Sequence, residues 1–122
     1  MWPFNTSRDK KMNYRTIDAN FAVAGQVLPE QVRDVAAAGF KTIVCARPDN
    51  EEPGQPSFKM IEAEAEKLGL KAVYIPISGG ISESAQSRMA QALKDLPKPM
   101  YGYCRSGARA GSLYNTALAA SR

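Results

Sequence analysis

Three features of the sequence predict a three-layer α/β fold, a mostly parallel central sheet flanked by helices. β-branched and aromatic runs alternate with segments of helical period along the chain, glycines and prolines punctuate the joins, and 122 residues suit one domain. Tyr14 to Asp18 and Phe21 to Ala24 read as a short strand pair turning at Ala19-Asn20. A helix opens at Leu28-Pro29-Glu30, with proline in its first turn, and runs to Ala38, where Gly39 stops it. Lys41 to Cys45 is a compact β-branched run, hence a buried strand. Arg47 to Pro56 is loop, broken by Pro48, Pro53, Gly54 and Pro56.

From Ser57 to Leu68 the positions Phe58, Ile61, Ala65 and Leu68 keep helical spacing, and Gly69 ends the segment. Lys71 to Ile75 is the next strand, and Ser78-Gly79-Gly80 is loop. Ser82 and Glu83 begin a helix reaching about Leu96, with Pro97 and Pro99 beyond it. Met100 to Tyr103 is the last strand and delivers Cys104. A final helix runs from Gly107 onward. Residues 1–11 are expected to be a flexible tail and 12–122 a single domain. In open parallel sheets ligands bind beyond the carboxyl ends of the strands, the edge that holds both the Arg47–Pro56 loop and the Cys104 loop.

Composition removes whole classes of chemistry. No histidine occurs, so Ser–His and Cys–His catalysis and histidine-ligated zinc are excluded. Two cysteines, Cys45 and Cys104, make neither a disulfide framework nor a four-sulfur metal site. No acidic cluster stands at metal-ligand spacing, so no metal and no cofactor is expected. Sixteen basic against twelve acidic residues give a net charge of +4, but the basic residues are scattered without interleaved aromatics. Nucleic acid is therefore not the expected partner. Apolar runs fall far short of the ~20 residues that span a bilayer, and residues 1–11 lack the apolar core of a secretory signal. A cytoplasmic location is the expectation.

The informative segment is Tyr103-Cys104-Arg105-Ser106-Gly107-Ala108-Arg109, a strand, a tight loop and a helix start. A cysteine facing a helix N-terminus meets backbone N–H groups and the positive end of the macrodipole, which favour thiolate over thiol. The same N–H groups, from Arg105, Ser106, Gly107 and Ala108, can cradle an anion of several oxygens. Arg109 can fold back and clamp that anion with two parallel donors. Singly, each residue has a duller reading: core filler, surface charge, turn. Arriving in this order between a strand and a helix, they rarely do so by chance.

In the second loop, Arg47 would add positive charge near the anion, while Asp49 or Glu52 would orient an arginine or supply a proton. Structurally the three could equally tie the loop by surface ion pairs. Cys45, inside an apolar strand, reads as an inert buried thiol, with a resolving partner for Cys104 as the alternative. Cys104 is expected to be the more reactive of the two.

Cys-Arg-Ser-Gly-Ala-Arg resembles the active-site loops of cysteine-based phosphatases and rhodanese-type sulfurtransferases. Phe21-Ala22-Val23-Ala24-Gly25-Gln26, Ala38-Gly39-Phe40-Lys41-Thr42-Ile43, the Arg47-Pro48-Asp49 to Pro56 stretch and Tyr74-Ile75-Pro76-Ile77 extend the likeness over roughly residues 12–120. On these the chain resembles the bacterial beta-lactamase hydrolase-like, phosphatase-like domains (DUF442), often labelled sulfur transferases. The resemblance implies a cysteine-phosphatase-like fold and the catalytic pair Cys104 and Arg109. It also implies a partner metallohydrolase of the persulfide dioxygenase kind, because relatives occur fused to one.

Four residues separate Cys104 from Arg109, the rhodanese-like count, where tyrosine phosphatases have five. The Ser78-Gly79-Gly80-Ile81-Ser82 loop holds no carboxylate where dual-specificity phosphatases usually carry an aspartate acid. Without a placed acid, expulsion of an alkoxide loses about 10²–10⁴-fold, whereas a thiolate leaves well unaided. Tyr103 stands where phosphatases commonly have histidine. Ala108 and Ala110 stand where relatives have Thr and Ser, which removes hydroxyls that tune the thiolate. The first expectation is therefore a sulfurtransferase that carries sulfane sulfur on Cys104 between small-molecule donors and acceptors. A phosphatase of small phosphoesters with a phosphocysteine intermediate is the alternative. A non-catalytic anion or persulfide sensor is the third.

Overall fold

The computed structural model describes residues 13–121; the expected tail at 1–11 lies outside them, as do positions 12 and 122 of the expected domain. Five strands form one sheet: β1 (Tyr14–Asp18), β2 (Phe21–Ala24), β3 (Thr42–Cys45), β4 (Lys71–Tyr74) and β5 (Met100–Tyr103). Their order is β1-β2-β5-β3-β4, with β1 antiparallel to β2 and every other neighbouring pair parallel. Among the described residues the α-helices are α1 (Val32–Ala37), α2 (Phe58–Lys67), α3 (Glu83–Asp95) and α4 (Ala108–Ala120).

Strand alternation assigns the two faces. Ala22, Ala24, Ile43, Cys45, Tyr101 and Tyr103 turn toward Val32 and Val35 of α1 and Phe58, Ile61 and Ala65 of α2. Phe21, Val23, Val44 and Met100 turn the other way, toward Ala85 and Met89 of α3 and Leu113, Tyr114 and Ala117 of α4. Both faces are covered, so β2, β3 and β5 are buried at every position.

One expected helix is divided. The segment expected from Leu28 to Ala38 starts as a 3-10 turn over Pro29–Gln31 and becomes α-helical only at Val32. The Gln31 side chain turns back to accept from the Leu28 N–H at 2.8 Å, and its own N–H reaches the Leu28 carbonyl at 2.8 Å. That closes a tight turn ahead of the helix. Helices α2 and α3 begin where capping chemistry places them, with Ser57 accepting from Met60 and Ser82 from Ala85.

Gly102, in the middle of β5, makes room for the Phe21 ring. A Cβ there would lie 2.5 Å from the end of that ring. The ring cannot swing aside, because it is fully buried and stacked on Tyr114 at 4.2 Å. Gly102→Ala is expected to destabilise the fold by about 1–3 kcal/mol through overpacking. Urea unfolding checks this: a lowered midpoint at unchanged slope is the expected result, and a wild-type midpoint contradicts it.

Candidate active site

The parallel strands deliver four chain segments to one edge of the sheet: Ala24-Gly25 at the end of β2, Ala46-Arg47 after β3, Ile77 beyond β4 and Cys104 after β5. Ladder-like bonds extend past the strand ends and lock them together. The Cys104 N–H donates to the Ala24 carbonyl at 3.3 Å, and the Ala46 N–H donates to the Tyr103 carbonyl at 2.9 Å. Ile77 N–H donates to the Ala46 carbonyl at 2.9 Å. The loop from Cys104 to Ala108 is thus mounted on rigid backbone at both sides.

Cys104 is fully buried, and its sulfur accepts the Gly107 N–H at 3.0 Å. Gly107 has φ of +98° and is the residue before α4, so the loop turns sharply into the helix at a conformation side chains rarely adopt. A Cβ on Gly107 would also press within 3.3 Å of the Ala24 backbone. Gly25 is a second close approach: a Cβ there would meet the Arg105 carbonyl at 2.9 Å. Ser106 Oγ accepts the Ala108 N–H at 3.3 Å, while the N–H groups of Arg105 and Ser106 have no partner among the described residues. Unpaired amides beside a sulfur at a helix start are the kind of backbone arrangement that can accept an anion.

Arg109, in the first turn of α4, reaches two groups. It grips Glu51 with both terminal nitrogens, at 2.7 and 2.9 Å, and donates to the Ile77 carbonyl at 2.9 Å. Hydrogen bonding to Glu51 is the main cause that raises its pKa, and the nearby Cys104 sulfur adds to it. Glu51 is held in turn by Arg47 at 2.9 Å. Hydrogen bonding to Arg109, then to Arg47, lowers the Glu51 carboxyl to about 2.

Arg47 is only 2% exposed, and all of its guanidinium nitrogens are engaged: by Glu51, by Gln26 at 2.9 Å and by Glu52 at 3.1 Å. The sequence leads one to expect Arg47 to add positive charge near an anion; its guanidinium is instead taken up by two carboxylates and the Gln26 amide. Glu52 pairs with Arg47 and, at 3.4 Å, with Arg105. Asp49 is placed elsewhere, and the expected acid or arginine-orienting role is corrected. Its carboxylate accepts the Phe58 N–H at 2.8 Å at the start of α2, and its own N–H donates to the Tyr74 hydroxyl at 2.9 Å.

Cys45 points into the core on the opposite face of the sheet from Cys104. Its thiol donates to the Arg47 carbonyl at 3.3 Å, and burial pushes its pKa up. A disulfide between the two would require a strand end to turn over. Tyr103 is buried beside Cys45, where burial raises its phenol well above the ordinary range. Glu51 and Gln26 are the two site residues that the sequence did not single out. Glu51 contacts Arg109 across 58 positions of chain, and no local pattern separates it from its neighbour Glu52.

A sulfur presented to the amides that open a helix, with an arginine of that helix beside it at the carboxyl edge of a parallel sheet, defines a cysteine-phosphatase-like α/β protein. Residues 13–121 match the family model for the beta-lactamase hydrolase-like protein, phosphatase-like domain, and the chain belongs to this family. It is 35% identical over 99 residues to the beta-lactamase hydrolase-like protein of Agrobacterium fabrum, a match covering 80% of this chain but 23% of that one. The chain thus spans about a quarter of the length of the curated relatives it matches. It is similar in structure to a candidate phosphatase from Neisseria meningitidis, with TM-score 0.77 and 28% identity over 88% of this chain and 77% of the other. Tk-PTP in its active form shares the fold at TM-score 0.63 and 21% identity, over 89% of this chain and 74% of the other. Among the described residues no helix is long and apolar enough to cross a membrane, and no group of three or more metal-ligating side chains gathers.

Proposed function

We propose that the protein is a cysteine-dependent hydrolase of small phosphoesters. The observation that carries this reading is the loop itself: a buried sulfur 3.0 Å from the Gly107 N–H, unpaired amides at Arg105 and Ser106, and Arg109 alongside. Its supports are the phosphatase-like family and fold, which favour this reading over the sulfurtransferase first expected from the spacing. In the first step the Cys104 thiolate forms a bond to phosphorus as the ester P–O bond breaks, and the leaving group departs with the electron pair. The amides and Arg109 take up charge on the phosphoryl oxygens. Water then attacks phosphorus, the S–P bond breaks, and inorganic phosphate and the thiolate are released.

Leaving-group protonation is where this site departs from an efficient monoesterase. Glu51 stays ionised down to about pH 2, and Glu52 is engaged by two guanidinium groups. Both carboxylates are committed to guanidinium groups, so the substrates we assign are those whose leaving group is stable as an anion, aryl phosphates above all.

The same observation favours a second reading, transfer of sulfane sulfur. Here the Cys104 thiolate attacks the outer sulfur of thiosulfate, the S–S bond breaks, and sulfite leaves with the electron pair. Cyanide or a small thiolate then removes the sulfur from the Cys104 persulfide and regenerates the thiolate. A metallohydrolase of the persulfide dioxygenase kind is the partner we assign to this reading.

Acid quenching followed by peptide mass analysis separates the two. After an aryl phosphate, the Cys104 peptide is expected to gain about 80 Da, one phosphoryl group. A gain of about 32 Da after thiosulfate, with none after the phosphate, establishes a persulfide and overturns the hydrolase reading.

A further inference from the structure

Three guanidinium groups, from Arg47, Arg105 and Arg109, share two carboxylates, Glu51 and Glu52, where the second loop meets the Cys104 loop. One positive charge is therefore in surplus, and the three cations are not equivalent. The Arg47 side chain is 3% exposed and Arg109 is 27% exposed, each with several short bonds. The Arg105 side chain is 69% exposed and is tied by one 3.4 Å contact to Glu52.

That contact is easily surrendered. The Glu52 oxygen that meets Arg105 already accepts a shorter bond, 3.1 Å, from the buried Arg47. Releasing Arg105 leaves Glu52 paired and strands no buried charge, and an exposed pair of this kind contributes little to stability. Arg109 is different, because freeing it would break both of the bonds, 2.7 and 2.9 Å, that it gives Glu51. The surplus charge thus resides on the side chain that is free to turn to a ligand, and that side chain directly follows the nucleophile in the chain.

We propose that Arg105 is a specificity-determining residue that recognises a second anionic group, a phosphate or carboxylate, next to the phosphoryl group held by the amides. The site would then select small soluble phosphoesters with two anionic groups over simple monoesters. This deepens the hydrolase reading and rests on it.

Orthophosphate and pyrophosphate serve as probes, titrated into the full chain at constant ionic strength while the backbone amide NMR shifts of residues 105–109 are followed. Pyrophosphate is expected to bind about tenfold more tightly than orthophosphate, as one added charge-assisted contact gives. In Arg105→Ala that ratio should collapse toward one, and Arg105→Lys should restore most of it. The amide spectra report at the same time that each variant is folded. If both anions bind but the ratio is one in the wild type, or survives in Arg105→Ala, the assignment of Arg105 is wrong while the hydrolase reading stands. If neither anion moves these amides, the anion cradle itself is refuted and both fall.

Discussion

Cys104→Ser is expected to lose aryl phosphate turnover by at least about 10³-fold, with the fold intact. The sulfur is buried in the loop and bonded to the Gly107 N–H at the helix start. Serine retains the position but not the anion, because its hydroxyl stays protonated near neutral pH and no histidine exists in the chain to take the proton. Steady-state turnover and circular dichroism on the same samples check this. Activity within tenfold of wild type would mean that Cys104 is not the nucleophile in either reaction considered above.

Glu51→Gln is expected to reduce turnover by up to about 10²-fold while leaving the nucleophile in place, because the guanidinium of Arg109 loses the carboxylate that fixes it. The bidentate grip of 2.7 and 2.9 Å is the strongest restraint on Arg109, and an amide offers one acceptor where the carboxylate offers two. The same substitution removes an anion from the buried Arg47. Stability carries a signed pH signature. The Glu51 carboxyl is lowered in the folded state from its ordinary 4.5 to about 2, so its contribution is fully present above about pH 4.5. It is lost as pH falls from there through about 2. The gap in urea midpoint between wild type and Glu51→Gln should therefore narrow across that window. A gap that stays constant down to pH 2 shows that the ion pair does not hold the loop, and unchanged turnover shows that Arg109 is oriented without it.

Local chemistry made much of the fold legible. Ser57 and Ser82 marked helix starts, Gly39 and Gly69 marked stops, and the β-branched run at residues 42–45 marked a central strand; each works within one or two turns of chain. The Leu28–Ala38 segment was misread at its start because Gln31 closes its turn with a side chain, which periodicity does not reveal. The cysteine loop was legible for the same reason of locality. Cys104, Gly107 and Arg109 lie within six residues, and a strand followed by a helix leaves that loop few geometries.

The second loop was not legible. Arg47, Asp49, Glu51 and Glu52 are all charged and all sit in one proline-rich turn; Arg47, Asp49 and Glu52 stood out as candidates and Glu51 did not, although nothing local separates it from them. By itself the sequence determined the sheet-and-helix alternation, the position of the cysteine loop between strand and helix, and the lack of any imidazole. Only the tertiary structure decided which charges meet. Parallel pairing of β3 with β5 brings the Arg47 loop against the Cys104 loop, so Glu51 reaches Arg109, Arg47 is sealed beneath both glutamates, and Asp49 turns away to α2. Ion pairing depends on distances of a few ångströms between segments far apart in the chain. Side-chain period and capping chemistry carry no information about those distances.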